Sequence, residues 1–502
     1  MCSSDISFFQ VESETISWES RFWLGLLQTL SGKPQRQGDL TISVKEADGS
    51  PLAGVRVLVG QRAGDPFEGN QTLTDAQGLA IFSAPELRTG RIIPITATLP
   101  GYTNISLLDN QDNQVRITMQ RLPEERSFGF LRGKLPGIPK QGSGNLEMGF
   151  FIPAARPESL LNFDIQSFVS SYNVKVNIYG ERDIPGNVVL PQQNKHWGII
   201  PISISKPDYV MPLATGLTAH MFGIAGGISI TQAANLIQKK DFLELLNLTN
   251  LSAVGWTREP ITVRGDDTFD IGLNHPVNPN KTFAQISGLG DQQLDAAAVS
   301  LLDPVGDRGD FVSMDIKALK KENFQNGVGT IRLGQISSRA TQGSFYIFTA
   351  LFDRSQIQNS SSRWVVGSVK PASSRGVSFH RFLNPMRSLG VSQNNREYRF
   401  SNPSGAISAD LLLIQIVSEK KNAETSGKTR RVLWSAISRG TGERVQLPDL
   451  GIPVLPQPDS SKEEKFHWEI TAIKTSASRK ERFNLQRALK DLQDVSTLSQ
   501  AY

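Results

Sequence analysis

Between residues 39 and 120 apolar and polar side chains alternate. Leu40, Ile42 and Val44 stand at every second position, and Val55, Val57 and Val59 repeat the pattern; this is the period of a strand with one face in a core. Between the two runs, Ala47-Asp48-Gly49-Ser50-Pro51 reads as a turn, because glycine accepts positive φ and proline fixes its own. A second turn, Thr74-Asp75-Ala76-Gln77-Gly78, leads into a strand through Leu79, Ile81 and Phe82. Further strands are predicted over 94–99, 103–107 and 115–119.

The pattern on either side is mixed. Within 1–37, Phe22, Leu26 and Leu30 have helical spacing and predict a helix that docks on a domain surface. Residues 122–275 read as a larger β unit, with strands at 174–178, 188–190, 199–204 and 269–271. Inside it, 210–238 holds no Asp, Glu, Lys or Arg, yet Pro212, His220, Gly223, Gly226 and Gly227 interrupt it. That dilution argues against a membrane-spanning helix and for a buried irregular segment that enters a helix, with a lipid-dipping loop as the alternative. Ser229 with Gln232 is a capping signal, and Ile230, Ala233, Ala234 and Ile237 share one helical face. Asp241 with Glu244 repeats the signal, which predicts a broken helical insertion over about 229–251.

Residues 276–376 open another strand-rich unit, with strands at 282–288, 311–316, 330–336, 344–352 and 364–369. Residues 377–478 predict a final immunoglobulin- or fibronectin-like sandwich with Trp434 and Trp468 in its core. In 479–502, Phe483, Leu485, Leu489, Leu492 and Val495 read as a short amphipathic helix. The fold class is therefore mainly β: several Ig-like or transthyretin-like β-sandwiches in series, with a small helical insertion and terminal helices.

Composition agrees with this organisation. A chain of 502 residues exceeds one core, and 43 Gly with 27 Pro favour turn-rich β structure. The net charge of +5 is small and its basic residues interleave with acids, so nucleic acid is not an expected partner. The densest basic stretch, Lys420, Lys421, Lys428, Arg430, Arg431, Arg439 and Arg444, reads as a solvated loop face. Cys2 is the one cysteine, which excludes a disulfide within the chain and a cysteine-based metal site. With Ser3 and Ser4 after it, Cys2 is similar to the lipid-bearing cysteine of a mature bacterial lipoprotein; the alternative is a chance cysteine behind a natural Met start.

The run from Asp48 through Gly49, Pro51 and Gly54 to Val57, then Thr74-Asp75 with Gly78, Ala80 and Phe82, then Pro100-Gly101-Tyr102, resembles the carboxypeptidase-regulatory-like family. The resemblance covers 39–120 and implies a transthyretin-like, seven-stranded sandwich of the carbohydrate-binding-like class, common in bacterial surface proteins. Gly49, Pro51, Gly54, Asp75, Gly78 and Phe82 are its signature positions here. Pilin-type relatives cross-link a Lys to Asn or Asp beside a Glu, but no late-strand Glu suits that role, so Lys45 reads as a surface residue.

Catalytic signals are weak. The regulatory-like domain can accompany a zinc carboxypeptidase, which needs His and Glu close in sequence. None of the five histidines, His196, His220, His275, His380 and His467, has Glu three residues on. His467 and Glu469 share a strand face and read as a surface or interface pair. A Gly-x-Ser-x-Gly elbow, a P-loop and a dinucleotide fingerprint are absent, and 223–227 reads as a tight glycine turn. Asp266, Asp267 and Asp270, or Asp109 and Asp112 with Asn110 and Asn113, offer oxygens to Ca²⁺ but fall short of a full ligand set. Arg308-Gly309-Asp310 is too short to carry meaning alone.

The expected protein is non-catalytic, without cofactor or metal. It is a lipoprotein of the bacterial outer membrane or cell surface, anchored through Cys2 and binding a glycan or protein. An envelope scaffold that docks through the 229–251 insertion is the alternative, and a hydrolase with an unrecognised site comes third.

Overall fold

The computed structural model describes the chain from residue 39 to residue 501 apart from internal stretches, the longest being 155–169, 450–463 and 476–491. Cys2 and the helix expected in 1–37 therefore lie outside the described residues. The chain is mainly β and folds as a set of packed β-sandwiches.

The alternating segment forms seven strands: Leu40–Glu46, Arg56–Val59, Gln71–Leu73, Leu79–Phe82, Ile93–Thr98, Asn104–Asn110 and Gln114–Met119. Leu40–Glu46 lies between Leu79–Phe82, antiparallel, and Gln114–Met119, parallel. The other four strands form the facing sheet. Leu40, Ile42, Val44, Val55, Val57 and Val59 meet in one core, as a period of two with branched side chains dictates.

The middle of the chain is an eight-stranded sheet. Its path runs Ile200–Lys206, Val188–Trp197, Asn145–Pro153, Met221–Ser229, Asn250–Trp256, His275–Ser287 and Val328–Ile336, with Val377–Phe379 also paired to His275–Ser287. A three-stranded sheet of Asp208–Ala214, Phe128–Lys134 and Asp267–Thr268 provides Leu131, Tyr209 and Leu213 to a core shared with Phe151, Val189 and Met221. Residues 221–229 are thus a mid-sheet strand, not the irregular segment and glycine turn expected. The glycines serve close packing: a Cβ on Gly226 would lie 2.3 Å from the Asn250 carbonyl oxygen. The helix Ile230–Lys239 follows at once, with Ile230 and Ala233 buried. Glu244 and Asn247 are helical as well, and a strand resumes at Asn250.

The largest element is a twelve-stranded sheet. Its order is Asp310–Lys320, Ala296–Val305, Tyr346–Phe352, Ser362–Pro371, Leu492–Ala501, Lys465–Thr475, Leu411–Lys421, Lys428–Ser438, Asn104–Asn110, Ile93–Thr98, Arg56–Val59, Gln71–Leu73. The last four are the facing sheet of the first sandwich, so that sandwich is continuous with strands from the far end of the chain. Trp434 and Trp468 are buried, as expected.

Residues 492–501 correct the expected C-terminal helix. They form a strand between Ser362–Pro371 and Lys465–Thr475. A central strand buries both faces, so its apolar residues lose the period of two. Val495 enters the core with Leu411 and Ile473, whereas Leu498 joins Trp468 and Leu412 on the other side. Their three-residue spacing imitates a helix. The remainder of that predicted helix lies outside the described residues.

Candidate functional site

Of the six signature positions of the first sandwich, Gly49, Pro51, Gly54, Asp75 and Gly78 lie at turns, and Phe82 is a buried strand residue. Asp75 Oδ1 accepts from the Gln77 and Leu79 backbone N–H groups at 2.9 and 2.8 Å. The Thr74 hydroxyl accepts from Val55 N–H and donates to the Leu52 carbonyl, tying this turn to the one that ends at Gly54. Gly49, Gly54 and Gly78 have φ of +90°, +74° and +71°, Pro51 makes a bridge to Lys45, and Phe82 sets its ring edge-on to Phe67. At the end of the unit, Tyr102 donates to Glu46, and Arg121 lies 3.2 Å from the Tyr102 hydroxyl and 3.4 Å from Glu46. Burial, then the bond to Glu46, raises the Tyr102 pKa.

The junction between this sandwich and the rest of the sheet is densely bonded. Asn104–Asn110 pairs in parallel with Lys428–Ser438, from Trp434 opposite Asn104 to Ile437 opposite Leu107. Trp434 Nε1–H donates to Ser106 Oγ at 2.9 Å, in a buried contact. Thr103 donates to the Val432 carbonyl at 2.7 Å. Asp109 accepts from the Ser438 hydroxyl and, at 2.7 Å, from Arg439 N–H. One of the carboxylates considered for Ca²⁺ is thus a clasp between sequence-distant strands.

The other acidic candidates are engaged similarly. Asp266 accepts from Phe130 N–H at 2.9 Å, Asp270 from Lys134 N–H at 2.7 Å and Asp267 from Arg264 N–H at 2.9 Å. No group of three or more His, Cys, Asp or Glu among the described residues is placed to hold a metal ion. Asp310 is buried at the start of a strand opposite Val305, which keeps its carboxylate from a tripeptide-binding partner.

Next to the clasp, the antiparallel pair Leu411–Lys421 and Lys428–Ser438 carries most of the basic stretch. Lys420, Lys421, Lys428, Arg430 and Arg431 occupy strand positions, as does Arg444 in Arg444–Gln446. This corrects the loop assignment: Ser418, Thr429, Ser435 and Ser438, which suggested a loop, are themselves strand residues. His467 and Glu469 do share a face, but it is a buried one. His467 Nε2 lies 3.5 Å from Glu419, and Glu469 accepts from Arg430.

A further cluster has no signal in the sequence, because the spacing of apolar residues in its strand, Leu492–Ala501, is helical. Asp494 pairs with Ser368 on one side and Lys474 on the other. Its Oδ1 is buried without a hydrogen-bond partner, and burial pushes its pKa up to about 6 despite Ser368, Lys370 and Lys474. Lys474 lies 3.3 Å from Asp410. Lys370 donates to the Ser378 carbonyl at 2.7 Å and lies over the Phe379 ring; burial lowers its pKa. These arrangements join strands and neutralise charge.

Together the seam and these clusters define a multidomain β-sandwich protein whose sheets are fastened to one another. No protein-family model matches the chain, and no curated protein matches it. Among solved structures, a streptococcal ancillary pilin is 11% identical over 47% of this chain and 62% of that one, with a TM-score of 0.13. The major pilin subunit of Bacillus cereus, BcpA, is 12% identical over 69% and 99%, with a TM-score of 0.15. The shaft pilin spaA of Lactobacillus rhamnosus GG is 9% identical over 47% and 97%, with a TM-score of 0.13. Likeness at this level carries no argument about what the present chain does.

Proposed function

We propose that this chain is a non-catalytic protein of a bacterial cell envelope, held at the outer membrane or cell surface by lipid on Cys2. Its fastened sandwiches present a recognition or adhesion surface to a glycan or protein, and its first unit is a carboxypeptidase-regulatory-like domain. The observation that carries the reading is the seam between Asn104–Asn110 and Lys428–Ser438, which makes one twelve-stranded sheet from the two ends of the chain. A binding face mounted on such a sheet is held in place before its ligand arrives, which reduces the ordering cost of association. The buried charges of Glu147, Lys195, Lys206 and Glu469 are already engaged in bonds between strands, which favours binding over chemistry.

The same seam also favours the scaffold reading, in which the rigid sheet links parts of an envelope assembly. Fractionating cells of the source organism, with protease added to intact cells and mass analysis of the N-terminal peptide, tests the shared premise. The expected result is an envelope protein, cleavable from outside and acylated on Cys2. A cytosolic, unmodified protein overturns it. Binding to isolated glycans or single proteins then supports recognition, and recovery only within a stable complex supports the scaffold.

A further inference from the structure

At the outer edge of the eight-stranded sheet, Ile200–Lys206 pairs on one side with Val188–Trp197 and ends the sheet. Strand alternation turns Ile202, Ile204 and Lys206 inward and leaves Pro201, Ser203 and Ser205 exposed. Beside this edge stands the hairpin of Asn173–Asn177 and Glu181–Pro185. Between them is an open groove of about 440 Å³ lined by Asn177, Pro201, Ile202, Ser203 and Ser205, a size within the roughly 300–1,000 Å³ of small-ligand sites.

Among the described residues the lining is hydroxyl, amide and aliphatic, without an ionisable side chain. The face continues in kind: Asn194 stands opposite Ser203 in the ladder, His196 stands opposite Pro201, and both are exposed. The nearby charges Lys175 and Glu181 offset each other at 3.2 Å. Charged groups stand around the groove, among them Arg182 and Asp183 on the hairpin, but its described lining offers uncharged side chains, of which Asn177, Ser203 and Ser205 both donate and accept hydrogen bonds.

The underside is firmly held. Lys195 and Glu147 form a buried ion pair at 2.8 Å. The Gln193 amide exchanges two hydrogen bonds with the Glu147 backbone, each 2.9 Å. Lys206 donates to the carbonyls of Gly186 and Asp208, both at 2.8 Å, and to that of Val188. The groove is therefore pre-organised by groups that do not line it.

We propose that this groove binds an uncharged saccharide, with Ser203, Ser205 and Asn177 bonding sugar hydroxyls against the Pro201 ring. The proposal deepens the recognition reading by naming a ligand class and a place. It is tested by calorimetric titration of the full chain with maltohexaose, cellohexaose and chitohexaose. At least one is expected to bind saturably, and the double variant Ser203→Glu, Ser205→Glu to weaken that binding about tenfold or more through lost hydrogen bonds and the bulk of two longer side chains in the groove. Both positions are exposed, so circular dichroism should report an intact fold, and Gln114→Glu on a distant exposed position should bind as the parent does.

Three results overturn the proposal. One is the absence of saturable binding to all three sugars at millimolar concentration, and another is binding that the double variant leaves unchanged. The third is displacement of bound sugar by an unstructured peptide that pairs with the open strand edge and is itself insensitive to the double variant. None of these results alters the location found by cell fractionation, so failure of the groove and failure of the envelope reading are separable.

Discussion

Asp494 keeps its proton more tightly folded than unfolded. Buried with an unpartnered Oδ1, it titrates near 6, whereas an unfolded aspartate titrates near 3.9. Protonation therefore favours the fold. The contribution is fully present below about pH 3.9 and is lost as pH rises through about 6, with a ceiling of roughly 3 kcal/mol for a shift of about two units. Urea unfolding at pH 4 and at pH 6.5 should show the parent losing stability relative to Asp494→Asn across that window; parallel pH profiles would show that Asp494 has no such linkage. Gly78 represents strain rather than charge. With φ at +71° and a hypothetical Cβ 2.4 Å from the Val44 carbonyl oxygen, it has no room for a side chain, while Gly49 at +90° has nothing within 4 Å. Gly78→Ala should cost about 2–4 kcal/mol and Gly49→Ala only about 1 kcal/mol, measured as displaced urea midpoints. Equal costs would mean that the close approach at Gly78 relaxes freely.

At the scale of elements, the seam depends on a few side chains that carry the pairing of Asn104–Asn110 with Lys428–Ser438. Asp109→Ala removes the acceptor for both Ser438 and Arg439. Hydrogen bonds to a charged group contribute about 1.5–3 kcal/mol, so amide exchange along 428–438 and 104–110 should quicken while exchange in Met221–Ser229 stays as it was. Unchanged exchange along the seam would assign its cohesion to backbone pairing and Trp434 alone. Little in the sequence could announce this contact, because Asp109 and Arg439 are 330 positions apart and strand pairing leaves no local signature. What was legible was local: the alternation of Leu40, Ile42 and Val44, the helical face of Ile230 and Ala233, and the core tryptophans Trp434 and Trp468. Where a strand is buried on both faces, as at Val495 and Leu498, or admits neighbouring backbone through glycine, as at Gly226, the alternating pattern disappears. The turn residues Gly49, Asp75 and Gly78 were readable for the same local reason. The Asp494 cluster, assembled by strands remote in sequence, was hidden with its strand.

For the whole molecule, the question is whether sandwiches in series behave as separate folding units. Independent domains melt separately, each with its own core. Here one core cluster holds Leu40, Val55 and Ile95 of the first sandwich together with Leu411, Ile473 and Val495 from the other end of the chain. Unfolding the first sandwich alone would expose those distant residues and strip the edge of Lys428–Ser438 of its partner. Excising residues 39–121 would likewise leave Asn104–Asn110 as an open edge and Ser106 without the Trp434 N–H. Calorimetry of the full chain should therefore give no separate early transition for the first sandwich, and the excised fragment should melt lower than the same residues do within the full chain. For a unit of about this size each 1 kcal/mol corresponds to roughly 4–8 °C, so loss of the seam is within reach of the measurement. A full-chain profile with a distinct transition at the fragment's own melting temperature would mean that the twelve strands share hydrogen bonds without sharing a fold. The rigid mounting on which the recognition reading rests would then fail, even with the envelope location intact.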